Sequence, residues 1–291
     1  VLAVSVGNTS IKYAVVKDRA AESYASAPVA GPAAAEKILA LRAGWEEAAG
    51  DSAERTPVVL ATVNVPAADA LESQLRRAGV EVLRLGRDLP IRITHSLDDA
   101  TTVGADRLLN AMAAHSGAGG ACVIIDCGTA VTVDFVDGEG VFHGGAIAPG
   151  VRMMLRAMHE HTAALPLIDI SAGGDKPVAE SAISDGAGSE KAEAVFPPDP
   201  VRGPFGKDTR HAMLLGVAAA VRGMAHDLID RYAEFYEAYP RVVATGGDAA
   251  ALFTGDELVE RIVPELTILG IGEACRRALD NEDEEDGEDG P

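Results

Sequence analysis

Val4–Val16, Val-Ser-Val-Gly-Asn-Thr-Ser-Ile-Lys-Tyr-Ala-Val-Val, and Val123–Val136, Val-Ile-Ile-Asp-Cys-Gly-Thr-Ala-Val-Thr-Val-Asp-Phe-Val, read as one device used twice. Each is an apolar strand, a tight turn holding a Gly and a Thr, and a second apolar strand. A Gly-Thr turn offers unhindered backbone N–H groups and a hydroxyl, which suits a phosphate. Either hairpin alone is also an ordinary β-turn connection. Their recurrence at matching positions of two halves favours phosphate binding.

The same order of elements surrounds both. In the first half, strands are predicted at Leu2–Val6, Ile11–Val16 and Glu22–Ala27, then a helix at Ala33–Ala49. A strand follows at Val58–Val63, a helix opened by Pro66, a strand at Val80–Leu85 and a helix from Asp106 to His115. In the second half, strands are predicted at Ala121–Ile125, Val131–Val136 and Val141–Ile147, and a helix from Pro149–Gly150 to about Ala164. A long helix over Thr209–Glu237 precedes a strand at Arg241–Thr245, a short helix, a strand around Leu266–Leu269 and a last helix over Gly272–Leu279. The expected architecture is a duplicated α/β fold, with a mixed sheet in each lobe and a central cleft. The lobes are placed at 1–117 and 118–279, with an acidic tail at 280–291. The stretch Asp169–Gly206, rich in Gly, Pro, Ser and Asp, reads as a surface excursion.

Composition narrows the function. The formal charge is −20, and eight acids in Asp280–Asp289 leave −12 for the rest. A general basic surface for nucleic acid is therefore excluded. An anionic ligand needs a local cation, for which Lys12, Arg107 and Arg152 stand nearest the motifs. No apolar run is expected to span a membrane and no leader is visible, so a cytoplasmic protein is expected. Cys122, Cys127 and Cys275 lack metal spacing and read as small buried hydrophobes.

Four further motifs could carry chemistry. Gly104-Ala105-Asp106-Arg107 opens a helix: Asp106 either caps it, with Arg107 turned to water, or accepts an alcohol proton while Arg107 binds an anion. Asp126 heads the second hairpin, where a carboxylate either holds a cation near phosphates or stabilises the turn. Its counterpart in the first hairpin is the neutral Ser5, and Asp134 reads as a structural carboxylate. Gly144–Gly150 joins a strand to a helix and either lets backbone approach a ligand closely or makes an ordinary tight connection, and Thr245-Gly246-Gly247-Asp248 after a strand could seat a nucleotide's adenosine against flat backbone. His159 and His161, two apart on a helix, make a poor metal pair, and Met153, Met154 and Met158 suit core packing or an interface.

Taken in order, Gly7-Asn8-Thr9, Gly104–Arg107, Asp126–Asp134, Gly144–Gly150, Thr162–Pro166 and Thr245-Gly246-Gly247 resemble the type III pantothenate kinases. That family belongs to the superfamily of acetate and sugar kinases, heat-shock chaperones and actin, with a duplicated ribonuclease H-like fold. The resemblance covers about Leu2 to Leu279. It implies transfer of the ATP γ-phosphate to the primary hydroxyl of pantothenate, the opening step of coenzyme A synthesis. Asp106 matches the general base, and Gly104, Ala105, Asp106 and Arg107 the pantothenate segment. Ser5, Gly7, Asn8, Thr9 and Lys12 fall on the first phosphate loop, and Thr129 on an ATP contact in the second. Asp126 matches the ligand of a monovalent cation, K+ or NH4+, and ATP would arrive with Mg2+. Thr209 matches a substrate-contacting Thr supplied across a homodimer interface. Two positions depart from the pattern: Ser5 stands where the family has Asp, and Leu97 where it often has an aromatic residue. The alternative that Ser5 raises is a catalytically impaired relative acting as a ligand-sensing protein.

Overall fold

A computed structural model describes residues 1–31, 33–49, 56–170 and 203–285. It contains two five-stranded mixed sheets. The first holds β1 (Leu2–Val6), β2 (Ser10–Lys17), β3 (Ala20–Pro28), β4 (Val58–Thr62) and β5 (Val82–Arg84) in the order β3-β2-β1-β4-β5. The second holds β6 (Cys122–Cys127), β7 (Ala130–Val136), β8 (Phe142–Pro149), β9 (Arg241–Thr245) and β10 (Arg261–Ile262) in the order β10-β9-β6-β7-β8. Read from its third strand outward, the second order repeats the first position by position. The duplication expected from the two hairpins is therefore present in the sheet topology.

The chain divides into two compact units. Unit 1 comprises Val1–Cys122, Asp134–Gly144 and the chain from Glu265 on; unit 2 comprises Val123–Val133 and Gly145–Pro264. In unit 1, β1 pairs antiparallel with β2 and parallel with β4. Because side chains alternate across a strand, β1 faces two cores. Leu2, Val4 and Val6 meet α1 (Ala33–Ala49) and α2 (Val65–Arg77) through Ile38, Leu71 and Leu75. Ala3 faces α3 (Ala105–Ala118) and α7 (Leu266–Glu285) through Leu109, Met112, Ile268 and Ile271. Alanines at 3, 14 and 61 on this second face let the two helices sit close to the sheet. Asn64 caps α2, accepting from the Ala67 N–H at 3.3 Å, with Pro66 in the first turn as expected.

Leu266–Leu269 departs from expectation. These residues open α7 instead of forming a strand, and the fifth strand is the two-residue β10 before Pro264. Leu266, Ile268, Ile271, Ala274 and Cys275 are buried at helical spacing. Gly270, which falls between the expected strand and helix, is instead where α7 presses on α3: a side chain there would collide with the Leu109 carbonyl. The same helix runs to Glu285, past the expected end at Leu279, and residues 286–291 lie outside the described ones.

In unit 2, α4 (Val151–Glu160) and α5 (Thr209–Tyr236) pack together, and α5 also packs on α6 (Ala249–Phe253). α4 stops short of Ala164 because Thr162 donates its hydroxyl to the Met158 carbonyl and accepts from the Leu165 N–H. Of the excursion Asp169–Gly206, residues 171–202 lie outside the described ones. The expectation that no apolar run suits a membrane needs correcting for α5. Among the described helices it alone is long and apolar enough by length and composition. Its buried positions Val217, Ala218, Val221, Ala225 and Ile229 nevertheless recur at helical spacing toward the core of unit 2.

Candidate active site

In unit 1 the first hairpin and the start of α3 share a sheet face. Ser5 lies directly across from Lys12 in the β1–β2 ladder and beside Ala61 of β4. Their side chains therefore point to the α3 side, as Ala3 does. The turn is closed by the Gly7 N–H donating to the Ser10 carbonyl at 3.0 Å, and Asn8 and Thr9 are exposed at its tip. Beyond the end of β4, Val63 touches the start of α3. Any Cβ on Gly104 would stand 2.6 Å from Oδ1 of Asp106 and 3.4 Å from Cγ1 of Val63. Glycine at 104 is thus the residue that leaves the Asp106 carboxylate its place.

Asp106 is not the N-cap of α3. Gly104 takes that position, and Asp106 is the second helical residue, half-buried, with Oδ1 accepting from the Arg107 N–H at 2.8 Å. A carboxylate in the first turn lies at the favourable end of the helix dipole. Arg107 is not turned to water either. Its guanidinium pairs with Asp134, whose side chain is only 2% exposed, with Nε 3.1 Å from both carboxylate oxygens. It also lies over the Phe142 ring at 5.8 Å. Asp134 is thereby the structural carboxylate expected, and its partner is a residue of the candidate site.

A polar chain runs beside it. Ser96 Oγ lies 3.1 Å from Nδ1 of His143, and His143 Nε2 lies 2.7 Å from Oδ2 of Asp137. Burial alone would raise the Asp137 pKa, but the His143 hydrogen bond and the Val141 and Glu139 N–H groups outweigh it and hold the carboxyl below its ordinary range. Leu97 is the side chain nearest Gly144, 3.0 Å from where a Cβ would stand. Sequence reasoning missed this chain; its three residues are scattered and carry no shared motif.

The second hairpin lies in unit 2 and is built more tightly. Two neighbouring segments close on it. The Gly150 N–H donates to the Thr129 carbonyl at 3.1 Å, and the Asp248 N–H to the Cys127 carbonyl at 3.1 Å. A Cβ at Gly246, whose φ is +94°, would stand 2.5 Å from the Cys127 carbonyl oxygen and 2.6 Å from Oδ1 of Asp126. One at Gly150 would collide with the Gly128 and Thr129 carbonyls. These two glycines admit the hairpin's own backbone, so what they approach is a neighbouring segment. Burial, then the charges of Asp126 and Asp248, push the Cys127 thiol well above its ordinary pKa.

Of the three cations near the motifs, two are held by carboxylates: Arg107 by Asp134, and Arg152 by Asp248 at 2.9 Å. Lys12 is in no ion pair among the described residues. Thr209 is the exposed first residue of α5, whose N-cap Asp208 accepts from the His211 N–H at 2.7 Å. His159 and His161 are exposed, and no group of three His, Cys, Asp or Glu among the described residues could hold a metal. Cys122, Cys127 and Cys275 are free and buried, as expected.

Known proteins resemble this chain in sequence and in fold. The family model for type III pantothenate kinase matches residues 1–231. A type III pantothenate kinase of Rhizorhabdus wittichii is 33% identical over 275 residues, covering 93% of this chain and 95% of that protein. One of Acidiphilium cryptum is 35% identical over 175 residues, covering 60% of this chain and 55% of that protein. Among solved structures, a conserved Baf family protein of Campylobacter jejuni shares the fold, with a TM-score of 0.55 at 15% identity over 96% of this chain and all of that one. With its duplicated sheets, its two Gly-Thr hairpins and Asp106 in the first turn of α3, this chain belongs to the type III pantothenate kinase family.

Proposed function

We propose that the protein transfers the γ-phosphoryl group of ATP to the primary hydroxyl of pantothenate, giving 4'-phosphopantothenate, the first step of coenzyme A biosynthesis. The observation that carries this reading is the Asp106 carboxylate, held in the first turn of α3 beside a glycine that makes room for it. Asp106 takes the hydroxyl proton as the alcohol oxygen attacks the γ-phosphorus, and the bond to the β–γ bridging oxygen breaks to release ADP. Gly104, Ala105 and Arg107 bind pantothenate, with Arg107 kept in place by Asp134. Gly7, Asn8, Thr9 and Lys12 cradle one part of the phosphate chain and Thr129 another. Lys12 supplies a positive charge that no carboxylate of the described residues already neutralises.

Mg2+ bound with ATP would neutralise charge on the transferring phosphoryl group, and a monovalent cation, K+ or NH4+, would do so from Asp126. The residues fit such ions. Mg2+ keeps several waters and leans on substrate phosphates, so it needs no cluster of protein acids. Asp126 stands half-buried near the end of β6, and its carboxylate is a hard oxygen donor of the kind that would hold one monovalent ion. Ser5, by contrast, brings a neutral hydroxyl to the place where a carboxylate would help organise Mg2+.

We place the protein in the cytoplasm as a homodimer, with Thr209 serving the partner subunit's substrate. An apolar groove of about 560 Å3 between α4 and α5 supports the dimer; Met153, Met154, Met158, Met213, Val217 and Ala220 line it. Light scattering at micromolar concentration tests that assembly. Ser5 supports a second reading, a relative that binds pantothenate without turning it over. A coupled ADP-release assay with ATP, Mg2+ and K+ separates the two. ADP released in proportion to pantothenate establishes the kinase; binding of pantothenate without ADP release establishes the second reading.

A further inference from the structure

Three polar assemblies lie outside the roles just described: the Ser96–His143–Asp137 chain, the ion-pair network of Glu72, Arg84 and Arg87, and the Arg152–Asp248 pair. The last links two segments that touch the second hairpin. Gly150, at the start of α4, donates to the Thr129 carbonyl, and Arg152 follows two residues later. Gly246 packs on Asp126 and Cys127, and Asp248 follows two residues later while its N–H holds the Cys127 carbonyl. The Arg152–Asp248 bond, Nη2 to Oδ1 at 2.9 Å, joins these two segments. Together the hairpin, the α4 start and the β9–α6 turn form a closed ring of contacts. Arg152 is also tied to the end of the segment after α4, donating from Nε to the Ile170 carbonyl at 2.9 Å.

We propose that Arg152 and Asp248 are positioning residues for the Asp126–Thr129 hairpin: their ion pair clasps the two segments whose glycines close on it. The proposal rests on the reading that this hairpin holds the nucleotide's phosphates. The Gly128 N–H donates to the Ala130 carbonyl at 3.0 Å and closes the hairpin's turn, but that bond does not set where the turn stands, and displacements near 1 Å are costly for phosphoryl transfer. Hydrogen bonds and glycine contacts set its position from two sides, but those two sides are separate chain segments. A cross-link between them converts two independent supports into one rigid frame. Asp248 fits that duty. It is 6% exposed, and burial raises its pKa even against the opposing Arg152 charge. Removing one partner of such a buried pair leaves the other charge uncompensated.

The test uses the full-length protein with Asp248→Asn, which keeps shape and removes charge, Arg152→Met, and Arg152→Lys as the conservative rescue. Two measurements are made. Without substrate, amide hydrogen exchange at Gly128–Val131 is expected to accelerate about tenfold in Asp248→Asn and Arg152→Met, and to recover in Arg152→Lys. In steady-state kinetics, KM for ATP is expected to rise about tenfold while KM for pantothenate stays within about twofold. Unchanged exchange, or equal losses toward ATP and pantothenate, would overturn the clasp. A wild-type protein that releases no ADP with pantothenate sinks the proposed function instead, and the exchange experiment still decides the clasp. Should Asp248→Asn fail to fold, the contrast between Arg152→Lys and Arg152→Met decides the clasp by the same two measurements.

Discussion

The two hairpins share a plan and differ in how they are held. The first, Ser5–Lys12, exposes its tip residues Asn8 and Thr9; its own Gly7 to Ser10 bond closes the turn, and two other segments reach it only through hydrogen bonds, the Val29 N–H donating to the Thr9 carbonyl at 3.1 Å and the Asn64 amide to the Gly7 carbonyl at 3.4 Å. The nearest atom to a Cβ on Gly7 is the Ser10 carbonyl oxygen, at 3.2 Å, within the same turn. The second, Asp126–Ala130, is gripped by Gly150 and Gly246 from two other segments. Charge is distributed the opposite way. The first hairpin carries Lys12 and a neutral Ser5, whereas the gripped one carries Asp126. A repeated motif thus diverges into a hairpin that carries Lys12 and one that carries Asp126 under two closely packed glycines. The pairing of Ser5 with Lys12 across the ladder is instructive: an Asp at position 5 would face Lys12 directly, whereas Ser5 leaves that ammonium without an acid among the described residues.

Four experiments press on this contrast. The largest effect is expected at the start of α3, above the first hairpin. Asp106→Asn should lower kcat by about a thousandfold, because the amide cannot take the alcohol proton, while thermal unfolding stays close to wild type. ADP release and a melting curve on the same sample check it, and undiminished kcat removes Asp106 from the base role.

Exchanging the hairpins' leading residues comes next. Asp126→Ser should lower turnover about tenfold or more and flatten its response to K+, and Ser5→Asp should raise turnover about tenfold by organising Mg2+. Titrating each ion against rate reads both variants. A fall in Ser5→Asp would show that the first hairpin works through an uncompensated Lys12 instead.

Stability separates the hairpins in a third way. Gly246→Ala places a Cβ against the Cys127 carbonyl at a positive φ and should cost about 3 kcal/mol. Gly7→Ala meets only Ser10 and should cost about 1 kcal/mol. Urea unfolding gives both numbers, and equal losses would show that the second hairpin is not held more tightly.

The smallest signal is chemical. Burial pushes Cys122 to about 12 and Cys275 to about 11, and Cys127 rises as well, so all three thiols stay protonated at pH 8 in the native state. A thiol reagent at that pH should label none of them until the protein unfolds. Labelling of Cys127 ahead of the other two would mean that the gripped hairpin opens locally.

Much of the site is legible in the sequence because it is local. The Gly-Thr turns, Gly104–Arg107 and the glycine runs are short motifs whose chemistry follows from a few adjacent residues. The duplication is legible for the same reason, since alternating apolar residues mark strands wherever they fall. Leu266–Leu269 misleads because an apolar run interrupted by Gly270 and Gly272 looks like a strand ending in a turn. Only packing on α3 and the first sheet turns those glycines into helix contacts. Arg107 misleads for a related reason: nothing near it in sequence announces a buried carboxylate, and Asp134 reaches it from β7.

The amino-acid sequence alone thus determined the strand-turn-strand repeats, the order of most elements and the candidates for moving a proton or meeting a phosphate, because those depend on side-chain type and short spacing. The tertiary structure alone decided which charges are already spent. Arg107 and Arg152 are both claimed by acids distant along the chain, and among the described residues Lys12 is not, because ion pairs form wherever folding brings opposite charges together and sequence distance places no limit on that.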